Sequence, residues 1–374
     1  MNSSLPPGTL ADTLWRLTAL SRGGQHWLAN ANCDFDAVTI AEKNHPVSRQ
    51  QPSAASQSYV LSPQSAWINY AKEEAQSHAP RHLATLTKIF AGVVFSPLSA
   101  LLKGTGLDRA ATIANRLIST NLYPDWNQQD IHTLTEELLT LYPDRPLIFR
   151  NICPDVNPTF CAALQKNGWT LIPARIVYLC DPRQASLWKR NHVKKDARLL
   201  TTNELEIVPP HQLKSTDLPQ LRQLFRDLFI HKHSGLNPDF TPDFFELCLE
   251  SGFLDLYGLR YQGKWAGVLG IYEPPDSNWI TTPLIGYDTT LPQEAGIYRC
   301  LMALLLNQAS LRHKRLHYSS GASQFKRARG GHASLEYTAV YSLHLSKSRR
   351  LWNMLFAKTL QTIAPSILKK ADKL

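Results

Sequence analysis

Between Leu254 and Tyr318 the sequence alternates element types in an order that few folds accommodate. Leu254 to Tyr261, Trp265 to Tyr272 and Trp279 to Tyr287 are rich in β-branched, aromatic and aliphatic residues and read as strands. Their connections are short, and Gln262-Gly263 is a tight hairpin turn, so the three form an antiparallel meander. The next strand, Arg315 to Tyr318, follows only after a helix, Gly296 to Ser310, and a strand reached through a helix lies parallel to its predecessor. The segment specifies a mixed, mostly antiparallel sheet flanked by helices.

At the strand-to-helix turn stands Gln293-Glu294-Ala295-Gly296-Ile297-Tyr298. Unpaired N–H groups at a helix start, backed by the helix dipole, attract phosphate, and glycine lets a ligand approach the backbone. An ordinary strand-turn-helix connection would place a glycine there as well. The pattern resembles the acyl-CoA loop of GNAT-fold acyltransferases, Gln/Arg-x-x-Gly-x-Gly/Ala, with Tyr298 where that family has a small residue. The strand end Gly286-Tyr287-Asp288 and the later Gly321-Ala322, Phe325-Lys326 resemble the divergent branch that contains the Fem-type aminoacyltransferases and related two-domain proteins. This resemblance implies acyl transfer, with Gln293, Gly296, Tyr298, Arg299, Lys326 and Arg327 around the donor. It also implies that Lys326 touches a phosphate or the reacting carbonyl.

At 374 residues the chain is long enough for two domains. In the first half, Thr9 to Leu28 and Pro63 to Gln76 read as helices, Glu42 to Gln57 as a long surface loop or linker, and Ser58 to Leu61 as a short strand. Asp130 to Tyr142 is an amphipathic helix, Pro146 to Arg150 a strand, Asn157 to Asn167 a helix and Trp169 to Leu179 a long strand. Asn157 and Gly168 serve as helix caps by default. After Asp181-Pro182 come helices Leu218 to Phe229 and Pro242 to Glu250, the meander already described, and a last strand, Leu335 to Leu345. The expected fold is α/β (α+β), with two tandem GNAT-like domains, residues 1–180 and 181–374, each a mixed, mostly antiparallel sheet flanked by helices. Lys103-Gly104-Thr105-Gly106 is glycine-rich but lacks a preceding strand, so the chemistry is assigned to the second half.

A net charge of +10 favours an anionic partner, and nucleic acid, CoA, an acidic acyl carrier protein and anionic lipid all qualify. Six cysteines without a Cys-x-x-Cys spacing point to reduced thiols and a cytoplasmic protein. Met1 to Pro7 has no signal-peptide pattern. The most apolar run, Ile89 to Leu102, is broken by Pro97 and too short to span a membrane; it reads as buried core or, alternatively, as an acyl-chain groove or membrane-touching segment.

Acyl transfer to an amine needs a group to take the proton, a held carbonyl and donors for the oxyanion. Asp288, at a strand end, is the candidate base or else a turn residue; Glu273 is its rival; Tyr287 is a candidate acid or a buried aromatic. Lys189, Arg190, Lys194, Lys195 and Arg198 form a second basic cluster, suited to a phosphate backbone or simply to solubility. His231, His233, Ser234 and Asn237 sit in a loop-like segment expected to bind substrate; their spacing does not favour a metal. The expected activity is N-acyl transfer from acyl-CoA or acyl-phosphopantetheine, free or on an acyl carrier protein, to a small-molecule amine, without a metal. The alternatives are Fem-type transfer from aminoacyl-tRNA and a non-catalytic binding protein.

Overall fold

The computed structural model describes residues 9–53, 56–77, 84–201, 204–275 and 277–371, with the backbone alone at 74–77, 84–94 and 369–371. Eleven described strands form one continuous sheet. They are β1 (Cys33–Ile40), β2 (Lys43–Gln50), β3 (Ala111–Ile113), β4 (Leu147–Ile152), β5 (Thr170–Cys180), β6 (Leu205–Val208), β7 (Asp255–Tyr261), β8 (Lys264–Tyr272), β9 (Trp279–Tyr287), β10 (Arg315–His317) and β11 (His332–Tyr341). The helices are α1 (Thr9–Arg22), α2 (Tyr70–Ser77), α3 (Ala84–Thr105), α4 (Gln128–Leu141), α5 (Pro158–Lys166), α6 (Asn191–Ala197), α7 (Leu218–Arg226), α8 (Pro242–Ser251), α9 (Ile297–Leu311), α10 (Ser323–Ala328) and α11 (Lys347–Ala371).

The spatial order is β1-β2-β3-β4-β11-β5-β10-β9-β8-β7-β6. On one side β1, β2 and β3 pair antiparallel and β4 joins β3 in parallel through α4; on the other, β7, β8 and β9 do the same and β10 joins β9 through α9. This is the mixed, mostly antiparallel pattern expected for two GNAT-like halves. The closing strands are exchanged: β5, from the first half, lies against β10, while β11, from the second, lies against β4. β5 and β11 pair with each other in the middle, with a bulge between Glu336 and Tyr337. The partition at residue 180, expected from sequence, therefore passes through a shared centre.

Local chemistry explains the elements. α4 opens on a capping box, Asn127 accepting from Gln129 and Asp130 while Asp130 accepts from the Asn127 N–H. α9 is buried on nearly every side because it is sandwiched between the sheet and α6. Tyr123, Trp126, Phe149 and Phe160 pack edge to face in the first half's core.

Two expectations are corrected. The segment 42–57, read as a loop, contains β2, joined to β1 by the two-residue turn Ala41-Glu42 with φ of 46° and 64°. Such a turn normally announces itself with Asn-Gly, and here it does not. Ser58 to Leu61 is a turn leading into a helix, its N–H groups spent on Asn30 and Leu236 carbonyls. Lys103 to Gly106, set aside as a cradle in the sequence, closes α3, with Gly106 left-handed. In the run Ile89 to Leu102, Leu98 and Leu102 are buried; the side chains of 89–94 and the segment Met1 to Pro7 lie outside the described residues.

Candidate functional site

The exchanged strands bring charged side chains into the interior of the sheet. Glu336 on β11 is 1% exposed and binds Arg175 of β5 through two oxygens, at 2.6 and 3.3 Å. Asn151 of β4 donates to the same carboxylate at 2.9 Å, and His317 Nε2 of β10 stands 3.7 Å from it. Burial pushes the Glu336 carboxyl up, but Arg175, His317 and Asn151 together hold it below the usual carboxylate range. His317 is pushed down to about 4 by burial, against the pull of Glu336, and accepts the Ser319 N–H at Nδ1, so its proton sits on Nε2, toward Glu336.

Lys326 is the chemically distinctive member. It sits on α10, is 5% exposed, and donates to the Ser320 carbonyl at 2.6 Å, with Tyr178 below it at 5.7 Å from Nζ to the ring centre. Burial, helped by the charge of Arg175, lowers its pKa to about 7. The loop that supplies Ser320 is strained, with Ser319 and Ala322 at φ of 60° and 49° although neither is glycine. An amine that exchanges its proton near neutral pH can act as base and acid in one reaction cycle.

Polar groups of the first half complete the cluster. Arg150, buried on β4, donates to Asn115 Oδ1 and the Ile118 carbonyl, and burial lowers its pKa. Asn121 donates to Asn151 and Asn115, and Arg175 also reaches Thr120 and the Ser119 carbonyl. Glu336 pairs with Arg175 and its charge is also felt at Arg150, so two guanidinium groups gather around one carboxylate. Sequence reading missed Arg150, Arg175, His317 and Glu336. Their signal was a charged or imidazole side chain inside an apolar strand run, as in Leu147-Ile148-Phe149-Arg150.

The remaining residues singled out from the sequence are distributed as follows. Asp288 accepts from the Thr290 N–H at 2.8 Å and its hydroxyl at 2.6 Å, the geometry of a turn residue. Glu273 joins Arg312, Lys314 and, through Arg312, Asp255 in an ion-pair network at the far end of β8. Gly296 turns the chain at φ 68°, and the space beside its Cα is filled by Leu199, 3.1 Å from where a Cβ would stand. Gln293 is exposed beside it. Tyr298 lies between Tyr287 and Phe325, at 5.6 and 4.8 Å between ring centres, and burial raises its pKa to about 12. Arg299 pairs with buried Asp196 of α6, which also holds Arg329 of the segment after α10. Arg327 stacks over Tyr178 and its carbonyl accepts from Arg190. Thus Lys326 and Arg327 meet at Tyr178, while Leu199, from the turn after α6, stands against Gly296.

The loop after α7 is structural in most of its contacts. Asp227–His233 forms a π-helical turn, and His231 pairs with Asp227 at 3.0 Å. Ser234 donates to Glu73 of α2 at 2.5 Å, and Asn237 donates to the Phe229 and Ser234 carbonyls. Asn30 and Ser58 of the first half hold the Gly235, Leu236 and Asn237 carbonyls. His233, exposed beside Phe229, has its pKa lowered by the partial desolvation of its ring and by the charge of Lys232. These contacts stitch the two halves together along one face.

No protein-family model and no curated protein matches the sequence. Solved structures do match in fold. L-PGS from Bacillus licheniformis aligns over 96% of this chain and 99% of its own at 12% identity, with a TM-score of 0.52. FemX aligns over 95% and 100% at 7% identity, also with a TM-score of 0.52. At such identity the likeness speaks for the architecture, and it runs the length of both chains. The protein shares the fold of these two structures along nearly the whole length of each.

Proposed function

We propose that the protein transfers an aminoacyl group from the ester end of a charged tRNA to an amine, with Lys326 handling the proton. The observation that carries this reading is the buried Lys326 amine, with a pKa of about 7, beside a cluster rich in positive charge. The acceptor nitrogen attacks the ester carbonyl, the developing oxyanion is stabilised by the cationic surroundings, and the carbon–oxygen ester bond breaks. Lys326 takes the proton released by the amine and returns it to the departing ribose hydroxyl. Arg175 and Glu336 keep the site charged and ordered, and Tyr178 forms its floor.

The choice of donor rests on space and charge. A phosphopantetheine thioester, from CoA or a carrier protein, would use the turn at the start of α9, where Leu199 stands against Gly296, and the flank of β9, where the rings of Tyr287, Tyr298 and Phe325 pack at tilted angles. By contrast, Lys189, Arg190, Lys194, Lys195 and Arg198 are exposed on and around α6, and Arg190 and Asp196 fasten that ridge to the Lys326 helix and its end. A polyanionic donor could follow this ridge to the site. A charged tRNA is a cytoplasmic molecule, which suits the compartment expected from the cysteines.

The test is binding of charged tRNA across a salt series. Affinity is expected to fall linearly with the logarithm of salt, with a shallower slope once Lys189, Lys194 and Lys195 are changed to glutamine. Thiol release from acyl-CoA, with no salt-dependent RNA binding, would replace this donor with a thioester.

A further inference from the structure

We propose that α11, seated on α3, is a docking surface for an anionic lipid bilayer. This surface is separate from the Lys326 cluster and is argued from its own residues. Along its inner face α11 buries Asn353, Phe356, Ala357 and Leu360. Asn353 donates to the Thr105 carbonyl at the end of α3, Gln361 donates to the Leu171 carbonyl of β5, and Phe356 meets Trp67 edge to face. The helix is therefore fixed to the body, and its outer face is defined.

That outer face is apolar at its centre. Leu351, Met354 and Leu355, at i, i+3 and i+4, are 52%, 45% and 39% exposed. Large apolar side chains repeated on one helix face at this exposure mark a surface meant to be covered. Trp352 is also exposed and lies across Gly104 of α3, whose missing side chain leaves room for the ring. An indole held flat at the edge of an apolar stripe suits the water–lipid boundary, where Trp is enriched.

Charge selects the occupant. From Lys347 to Ala371 the sequence has six basic residues, Lys347, Arg349, Arg350, Lys358, Lys369 and Lys370, and no Asp or Glu; α3 has no acidic residue either. Lys347, Leu351, Leu355 and Lys358 fall on one side of the helix, so cations flank the apolar centre. Long basic side chains can lay their stems along acyl chains while their heads meet lipid phosphates. A protein partner would usually answer such a surface with opposite charge from acidic residues in a groove, whereas this is a ridge of one sign throughout. No described helix is long and apolar enough to cross a membrane.

The experiment uses the full chain with vesicles of phosphatidylcholine alone and of phosphatidylglycerol with phosphatidylcholine, followed by flotation. Binding is expected to favour the anionic vesicles by at least ~10-fold and to weaken with salt. The combined substitution L351S/M354S/L355S should reduce that partition by ~10-fold or more, with circular dichroism and melting unchanged. K347Q/R350Q/K358Q should remove the preference for anionic lipid. Failure of the natural chain to float with anionic vesicles, or undiminished flotation of the triple serine variant, would overturn the proposal. So would a dimer in sedimentation equilibrium that the serine variant converts to monomer, because the face would then belong to a second copy. Neither arm depends on RNA or on transfer activity.

Discussion

Replacing Lys326 with methionine should make the protein more stable at neutral pH while removing its activity. The ammonium is 5% exposed, and its pKa falls from the ordinary 10.5 to about 7. At about 1.4 kcal/mol per pH unit, that difference corresponds to about 5 kcal/mol of strain on the charged form. Methionine has similar length and no charge, but it leaves the Ser320 carbonyl without its 2.6 Å partner, a loss of about 1–3 kcal/mol. The net gain at pH 7 is therefore about 2–4 kcal/mol. Its pH dependence is more diagnostic. Between pH 7 and 10.5 the unfolded chain holds the lysine proton and the folded chain does not, so the natural protein gains stability as pH rises. The advantage of the variant should shrink by about 1.4 kcal/mol per pH unit in that window and level off below it. Urea unfolding of both proteins at pH 6, 7, 8 and 9 measures the gap directly. A gap that stays constant from pH 7 to 9, or a variant less stable at pH 7, would refute the reasoning that Lys326 is buried and poised.

Other perturbations separate the chemistry from the scaffold. Transfer by the natural protein should rise with pH through about 7 as Lys326 loses its proton, and Lys326→Arg, which cannot deprotonate, should lower kcat by at least ~100-fold, as measured in single-turnover assays. Asp288→Asn keeps an acceptor oxygen for Thr290, so turnover should change less than ~3-fold; a loss near ~100-fold would make Asp288 the base instead. Glu336→Gln leaves Arg175 without its buried counter-charge and should destabilise the protein by about 3–5 kcal/mol, read as a fall in melting temperature.

Much of the architecture was legible where pattern and position agree. The meander β7 to β9, the helix α9 and the parallel return β10 follow from strand composition, the Gln262-Gly263 turn and the rule for crossover connections. The β1–β2 hairpin was not, because Ala41-Glu42 adopts left-handed backbone without glycine, and Pro46 marks β2 as an unlikely strand. The proline is tolerated because β3 begins its pairing only at Val47. At the site, Lys326 stood out through its motif, and Arg327 with it. Glu336, Arg175 and His317 did not, since they come from β11, β5 and β10 and meet only through the exchange of closing strands. The burial that makes Lys326 reactive is likewise a property of the assembled sheet, invisible in the run Phe325-Lys326-Arg327 alone.

The exchanged strands also set an order of events on the ribosome. When residues 1–180 have emerged, β4 has no neighbour to complete its outer side, and β5 has neither β10 nor β11 to pair with. The slot beside β4 closes only once residues 332–341 are available. The nascent first half must therefore wait with open edges, the condition in which strands find wrong partners. Closure then joins segments more than 150 residues apart in one late step, which makes folding slow and cooperative. The same step assembles Arg175 with Glu336, so a chain acquires its charged centre only once β11 has joined β5.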